Sequence, residues 1–353
     1  MYVKKITLRN FRNHEKAAFE FVQGLNVISG ENGAGKTSLV EAVHYLSIGR
    51  SFRTQDENDL INTKSSDALI EAEIIRGKLK DVVRVVFTKD GRKVFINSKP
   101  IARMSEMAKL VNVALFEPSD VNLFKGSPRE RRNFLDVAIA KKYHAYLSYI
   151  SSYEKLLRER NAILKQDVVD KVLLETTTEM MVRLSGPIIS FRRQYIQDIN
   201  NILNKIICAL THRRMHVKII YKPFVDYDSN FETNALEAFK RALDGDLKRK
   251  ATSIGVHRED FSMSLNDEDI AIFGSQGENR LAAIALKITP YFLIEEKEKR
   301  PIIVLDDVLS ELDSQHQQKL IEFANKLEQV FITTTKTKIE NVKNFTLVRK
   351  GNN

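Results

Sequence analysis

Two groups of residues in this chain are spaced for chemistry on a phosphate. The segment Gly30-Glu31-Asn32-Gly33-Ala34-Gly35-Lys36-Thr37-Ser38 fits the pattern G-x-x-x-x-G-K-[ST], with Gly30, Gly35, Lys36 and Thr37 in register. Glycines let the backbone curl so that successive N–H groups, among them those of Asn32, Gly33 and Ser38, point into one anion-sized cavity. Lys36 is placed to reach the β- and γ-phosphates of a nucleotide, and the Thr37 hydroxyl to ligate Mg. Far along the chain, the apolar run Pro301 to Leu305 ends in Asp306-Asp307. Asp306 is the second candidate Mg ligand, and Asp307 the candidate for orienting an attacking water.

The elements that must hold these groups are legible around them. Leu25 to Ser29 is an apolar strand, and Ser38 to Leu46 carries apolar residues at helical spacing, so strand, loop and helix follow in the required order. This context argues against a mere glycine turn capping an ordinary helix. Residues 301–307 form a strand of the buried parallel type. Ser310-Glu311-Leu312-Asp313 should begin the helix after it, and Val330 to Thr335 reads as a closing strand. Residues 68–97 form an antiparallel meander whose last turn is fixed by Asp90-Gly91. The turn Asn10 to His14 carries Arg12, which has two readings: a place near the nucleotide, or, favoured by spacing alone, a solvated turn residue.

From Ser127 to about Leu210 the hydrophobic period shifts from two to between three and four. Ser127-Pro128 starts the first helix, expected to run to Lys165; the second runs from about Asp170 to Leu210. Unbroken, each would be roughly 50–60 Å long. Phe239 to Ala251 reads as a further helix, followed by a polar loop at 253–260.

Composition narrows the partners. The 353 residues, 43% of them hydrophobic, suffice for a sizeable core, and the net charge of +10 favours an acidic partner. Between Lys125 and Lys165 ten Lys/Arg face four acids, and His212 to Lys218 adds a second basic cluster. Such clustering suits a surface that follows phosphates, and Arg129, Arg131, Arg132, Lys141, Lys142, Arg213 and Arg214 are the candidate DNA contacts. A solvated helix face is the alternative for any one cluster. The single cysteine, Cys208, excludes an internal disulfide framework and fits a reducing, cytoplasmic setting. The longest apolar stretch, Leu281 to Ile294, contains Lys287 and Pro290 and is too short for a bilayer, so no membrane is expected.

Taken together, Gly30 to Ser38, Gly274-Ser275-Gln276-Gly277-Glu278-Asn279-Arg280, Val304 to Asp313 and Val330 to Thr335 resemble the head of an ABC-type ATPase. Ile6 to Asn13, Phe124 to Pro128, Arg131 to Asp136 and Gly255-Val256-His257-Arg258-Glu259-Asp260 narrow the resemblance to the RecF family of bacterial recombination and repair proteins. The resemblance implies an α/β fold: a P-loop ATPase head with a mixed sheet, residues 1–125 plus 251–353, around an inserted α-helical lobe, residues 126–250. It implies ATP and Mg as cofactors, with Ser275 and Gly277 as the signature that serves the ATP of a second subunit. Asp313 would lie at the seam of that ATP-dependent homodimer, and Thr333 to Thr335 would take the switch position. It further implies weak, DNA-stimulated ATP hydrolysis, clamping of duplex DNA near single-strand/double-strand junctions, recombinase loading, and a RecR-like mediator partner. Where many relatives have two glutamines, this chain has Glu278-Asn279. Competing readings are an SMC-like structural ATPase head, disfavoured because no long heptad run separates the motif halves; a transporter's nucleotide-binding subunit, disfavoured by the basic arm; and a DNA-binding module that never hydrolyses ATP.

Overall fold

Alternation of period two, interrupted in β1 by a bulge between Val3 and Lys5, makes the first sheet. In β1 (Tyr2–Phe11), Val3, Ile6, Leu8 and Phe11 are buried. In β4 (Asp67–Arg76) and β5 (Leu79–Thr88) the buried set is Ala68, Ile70, Ala72, Ile74, Val83, Val85 and Phe87. With β2 (His14–Glu20), β6 (Gly91–Ile96) and β7 (Lys99–Pro100) they form an antiparallel sheet ordered β2-β1-β4-β5-β6-β7. The expected meander is there, its last hairpin closed at Gly91. The structure is a computed structural model and describes residues 1–349 except 109, 212–214, 311, 337, 341 and 343.

The second sheet is parallel and ordered β14-β3-β13-β12-β8. It comprises β3 (Gly24–Ser29), β8 (Val113–Phe116), β12 (Ile302–Leu305), β13 (Gln329–Thr334) and β14 (Phe345–Leu347). Every residue of β12 and β13 is buried, the pattern of strands covered on both faces. Each fully buried Val, Ile or Phe there contributes roughly 1.5–3 kcal/mol. Helix α1 (Lys36–Ile48) lies among these layers, with Leu39 to Ser47 buried on all sides. The Tyr45 ring stands 5.1 Å from that of Phe87, and Ser47 Oγ accepts the Val113 N–H at 3.1 Å. The short α2 (Met104–Ala108) packs on α1. One apolar core joins α1 to Ile6, Ile70 and Val85 of the first sheet and to Ile28, Val304 and Phe331 of the second.

The remaining elements are α3 (Pro128–Lys142), α4 (His144–Ile163), α5 (Lys171–Thr211), α6 (Phe231–Arg249), α7 (Ile270–Phe273), α8 (Gln276–Leu293) and α9 (Ser314–Ala324). A small antiparallel sheet is ordered β11-β10-β9, from β9 (Val217–Lys222), β10 (Asp260–Leu265) and β11 (Glu268–Asp269). Helix α9 is the crossover between the parallel neighbours β12 and β13. The long helix expected over 128–165 is broken at Tyr143, which is extended (φ −123°, ψ 98°). No glycine or proline marks the break. At the break Lys142 Nζ donates to Asp198 at 2.6 Å and lies over the Tyr143 ring. Conversely, Gly186-Pro187 does not interrupt α5.

The chain divides into two compact units, residues 1–121, 205–213 and 280–353 in one and 122–204 and 214–279 in the other. Residues 251–279, expected with the head, group with the second unit because β10 pairs along its length with β9 and Arg131 clasps Asp260. That unit holds two deeply buried guanidinium networks. Arg192 bonds Asp136, Glu259 and the Val256 carbonyl, and Arg160 bonds Asp246, Thr178 and Thr252. Among the described residues no helix is long and apolar enough to cross a membrane.

Candidate nucleotide site

The loop between β3 and α1 gathers the first set of candidates. Gly35 stands before the helix with φ +109°, a left-handed conformation that favours glycine. Gly30 is needed for space, since a Cβ there would lie 2.3 Å from the Val348 carbonyl oxygen. Helix α1 has no side-chain cap and no acidic residue in its first turn. Its leading N–H groups and its dipole therefore face the loop unneutralised, which is the condition for receiving an anion.

Lys36 is buried and donates from Nζ to the carbonyls of Gly30 at 2.6 Å and Glu31 at 2.8 Å. An ammonium carries three donors, so one is left for a ligand. Burial lowers the Lys36 pKa, opposed by the nearby charges of Asp307 and Asp306. Asp306 is 4% exposed, and Thr333 Oγ1 donates to its Oδ1 at 2.6 Å while Thr37 Oγ1 lies 3.4 Å from the same oxygen. Burial raises the Asp306 pKa against these hydrogen bonds, with Asp307 raising it further. A cation at this pair would relieve the buried charge, and a hydroxyl with a carboxylate is a donor set suited to Mg. Among the described residues no group of three or more His, Cys, Asp or Glu could hold a metal alone. Asp307 is exposed, has φ 47°, and its N–H donates to Thr333 Oγ1 at 2.8 Å. Thr333 thus ties the two carboxylate residues together.

A cavity of about 600 Å³ opens here, lined by Asn32, Gly33, Gly35, Lys36, Thr37 and Ser38 on one side and by Asp307 and Thr333 among others. Arg12 also lines it, with φ 52° and a bidentate pair to the fully buried Glu41 at 2.9 and 2.6 Å. Of the two readings of Arg12, the place near the cavity is the one observed, and Glu41, one turn into α1, holds it there. Asn13, Arg53 and Asn62 line the cavity too and were not singled out. The polar Arg-Asn-His run at a hairpin turn was the available signal for Asn13, and the polar loop Gly49 to Thr54 with its two arginines was that for Arg53; Asn62 carried none.

Asp313 does not join this group. It is exposed and caps α9, accepting the His316 N–H at 2.9 Å and bonding His316 Nδ1 at 2.6 Å, which lowers its pKa. The helix expected from Ser310 therefore begins at Ser314, after a turn through Ser310; Glu311 lies outside the described residues.

In the other unit, Ser275 and Glu278 form a reciprocal capping box at the start of α8. The Glu278 carboxylate accepts from Ser275 N and Oγ at 2.8 and 2.7 Å, and Glu278 N–H donates to Ser275 Oγ at 3.3 Å. Asn279 Nδ2 braces the corner by donating to the carbonyls of Ile270, Gly274 and Ser275. Gly277 is exposed, and a Cβ there would meet nothing within 4 Å, so nothing near it in this chain requires a glycine.

The candidate DNA contacts need correction. Arg131 is 6% exposed and spends its guanidinium on Asp260 and on the carbonyls of Leu123, Phe124 and Gly126. Lys142 is paired with Asp198, and Arg132 is half-buried with a bond to the Glu259 carbonyl. Lys141 is half-buried and Arg129 exposed; Arg213 and Arg214 lie outside the described residues. Much of the basic cluster is internal structure, because each buried carboxylate needs its cation.

The chain is matched over residues 2–353 by the model of the RecF/RecN/SMC N-terminal domain. It is 34% identical over 345 residues to the DNA replication and repair protein RecF of Geobacillus kaustophilus (strain HTA426), covering 95% of this chain and 93% of that one. To the RecF of Clostridioides difficile (strain 630) it is 33% identical over 356 residues, covering 98% and 96%. Among solved structures, the recombination mediator protein RecF-ATP of the RecFOR pathway is 28% identical with a TM-score of 0.87, covering 99% and 96%. A Smc head domain from Pyrococcus furiosus, 17% identical with a TM-score of 0.58 and covering 95% and 90%, shares the fold.

Proposed function

The chain belongs to the RecF family of DNA replication and repair proteins, ABC-type ATPases, and we propose from that premise that it is an ATP-gated DNA clamp. The observation that carries this reading is the uncapped start of α1 facing Lys36, with Asp306 and Asp307 joined through Thr333 beside it. In this reading the loop N–H groups and Lys36 hold the ATP phosphates, and Thr37 with Asp306 holds Mg, which neutralises charge on the transferred phosphoryl group. Asp307 orients the attacking water. Its carboxylate is one methylene shorter than a glutamate, which suits slow hydrolysis.

Ser275 and the bare backbone at Gly277 serve the ATP of a second copy, and Asp313 stands at the seam. The open space around Gly277 supports this, since a glycine that this chain does not need is one that an approaching ligand would need. The dimer would hold duplex DNA near a single-strand junction through phosphate contacts, with Arg129 among them, assist recombinase loading with a RecR-like mediator, and release on hydrolysis.

The test is duplex binding and sedimentation of the wild type, Lys36→Arg and Asp307→Asn, with and without ATP. ATP should make the wild type associate and bind DNA, Lys36→Arg should fail to respond, and Asp307→Asn should hold the bound state longer. DNA binding and mass that ignore ATP would overturn the proposal.

A further inference from the structure

The turn between β1 and β2, whose Arg12 and Asn13 border the cavity, also bonds to the nucleotide loop. Asn13 Nδ2 donates to the Gly33 carbonyl at 3.1 Å, and His14 Nε2 lies 3.1 Å from the Gly35 carbonyl. A carbonyl can only accept, so Nε2 carries the proton. His14 is 7% exposed, and Phe19 meets it edge-on with ring centroids 5.8 Å apart. A Cβ at Gly35 would fall 2.5 Å from His14 Nε2 and 3.0 Å from Asn13 Nδ2. The turn therefore closes the space behind Gly35 as well as bonding to it.

The bonds have a directional effect. In a trans peptide the C=O and the following N–H point in opposite directions, and no cis peptide is present among the described residues. The Gly35 carbonyl, shared between His14 and the Leu39 N–H of α1 at 2.9 Å, turns the Lys36 N–H away from the hairpin; fixing the Gly33 carbonyl on Asn13 turns the Ala34 N–H the same way, where the Glu31 carbonyl accepts it at 3.2 Å. The Lys36 N–H is the first of the uncapped helix donors. Without the hairpin each of these peptides would keep one restraint in place of two, the Leu39 N–H on the Gly35 carbonyl and the Glu31 carbonyl on the Ala34 N–H, and more of the ordering would fall to binding.

We propose that Asn13 and His14 are positioning residues for the nucleotide, two side-chain donors that set the peptide planes of the phosphate loop before ATP arrives. This rests on the loop being an ATP site. It assigns to β1 and β2 a part in ligand binding that the phosphate motif does not contain.

The experiment measures ATP affinity and hydrolysis for the full chain as wild type, His14→Phe, His14→Gln and Asn13→Ala, with thermal unfolding alongside. Phenylalanine keeps a ring without a donor; glutamine keeps an N–H donor without the ring. His14→Phe should weaken ATP binding roughly five- to tenfold, the effect of about one hydrogen bond, and Asn13→Ala roughly two- to fivefold. The rate at saturating ATP should stay within about twofold, and His14→Gln should recover most of the affinity. Wild-type affinity in both His14→Phe and Asn13→Ala overturns the proposal, as does a His14→Gln protein as weak as His14→Phe. If His14→Phe unfolds early, the exposed Asn13 decides. A wild type that binds no ATP overturns the ATP-site reading instead.

Discussion

Glu278 is where this chain's own chemistry departs most from the signature pattern it resembles. Its carboxylate occupies the N–H and hydroxyl of Ser275, the groups assigned to a second copy's phosphate. A phosphate approaching Ser275 must therefore meet or displace a negative charge. Glutamine can serve in the same capping box without that charge. Glu278→Gln should accordingly strengthen ATP-driven association, by roughly three- to tenfold in sedimentation equilibrium, a gain of about 0.7–1.4 kcal/mol. No change would place Ser275 away from the partner's nucleotide. The Ser-x-x-Glu spacing of the capping box stands in the sequence, yet the segment was read only as a phosphate signature. Lys36, Thr37, Asp306 and Asp307, each picked out by a motif whose spacing the chemistry dictates, lie together in the structure. Arg12 was readable only as one of two possibilities, and the internal role of Arg131 was not readable. Their roles depend on Glu41, 29 positions away, and Asp260, 129 positions away, and nothing local signals either partner.

Elements were readable where one period dominates: the meander, the buried parallel strands and α1. They were misread where no glycine or proline marks a boundary, as at Tyr143, beside which Lys142 bonds Asp198 of α5. The loop at 251–259 shows how strongly such contact shapes chemistry. His257 Nε2 meets the Thr252 carbonyl at 3.2 Å and Nδ1 meets the Tyr153 hydroxyl at 3.0 Å. Burial, with Arg258, Arg132 and Arg160 nearby, lowers its pKa from 6.5 to about 4. The folded state then binds fewer protons than the unfolded chain between these values. This contribution is complete above about pH 6.5 and is lost as the pH falls towards 4. Urea unfolding should show a decline of about 2 kcal/mol from pH 7 to pH 5 attributable to this group, absent in His257→Gln. An unchanged slope in that variant would remove His257 as the cause.

Over the whole molecule, the excess of positive charge predicted an acidic partner, but the local count overstated the surface available to it. Arg131, Lys142, Arg160 and Arg192 neutralise carboxylates within their own unit. Arg129 is exposed on the first turn of α3. Arg129→Ala should lower duplex affinity at all sequences alike and reduce the slope of log K against log salt by about one. An unchanged slope would remove Arg129 from the contact surface. The order of the parallel sheet has a consequence for biosynthesis. Strand β3, which carries the phosphate loop, is completed among residues 24–29, yet its neighbours β13 and β14 come from residues 329–334 and 345–347, and Val348 N–H closes on Ser29 at 2.8 Å. A chain still on the ribosome thus bears the phosphate motif for most of its synthesis without the strands that flank it. Nascent chains and fragments truncated before residue 329 should be blind to ATP, so the cell's nucleotide pool can act only on molecules whose translation has passed that point.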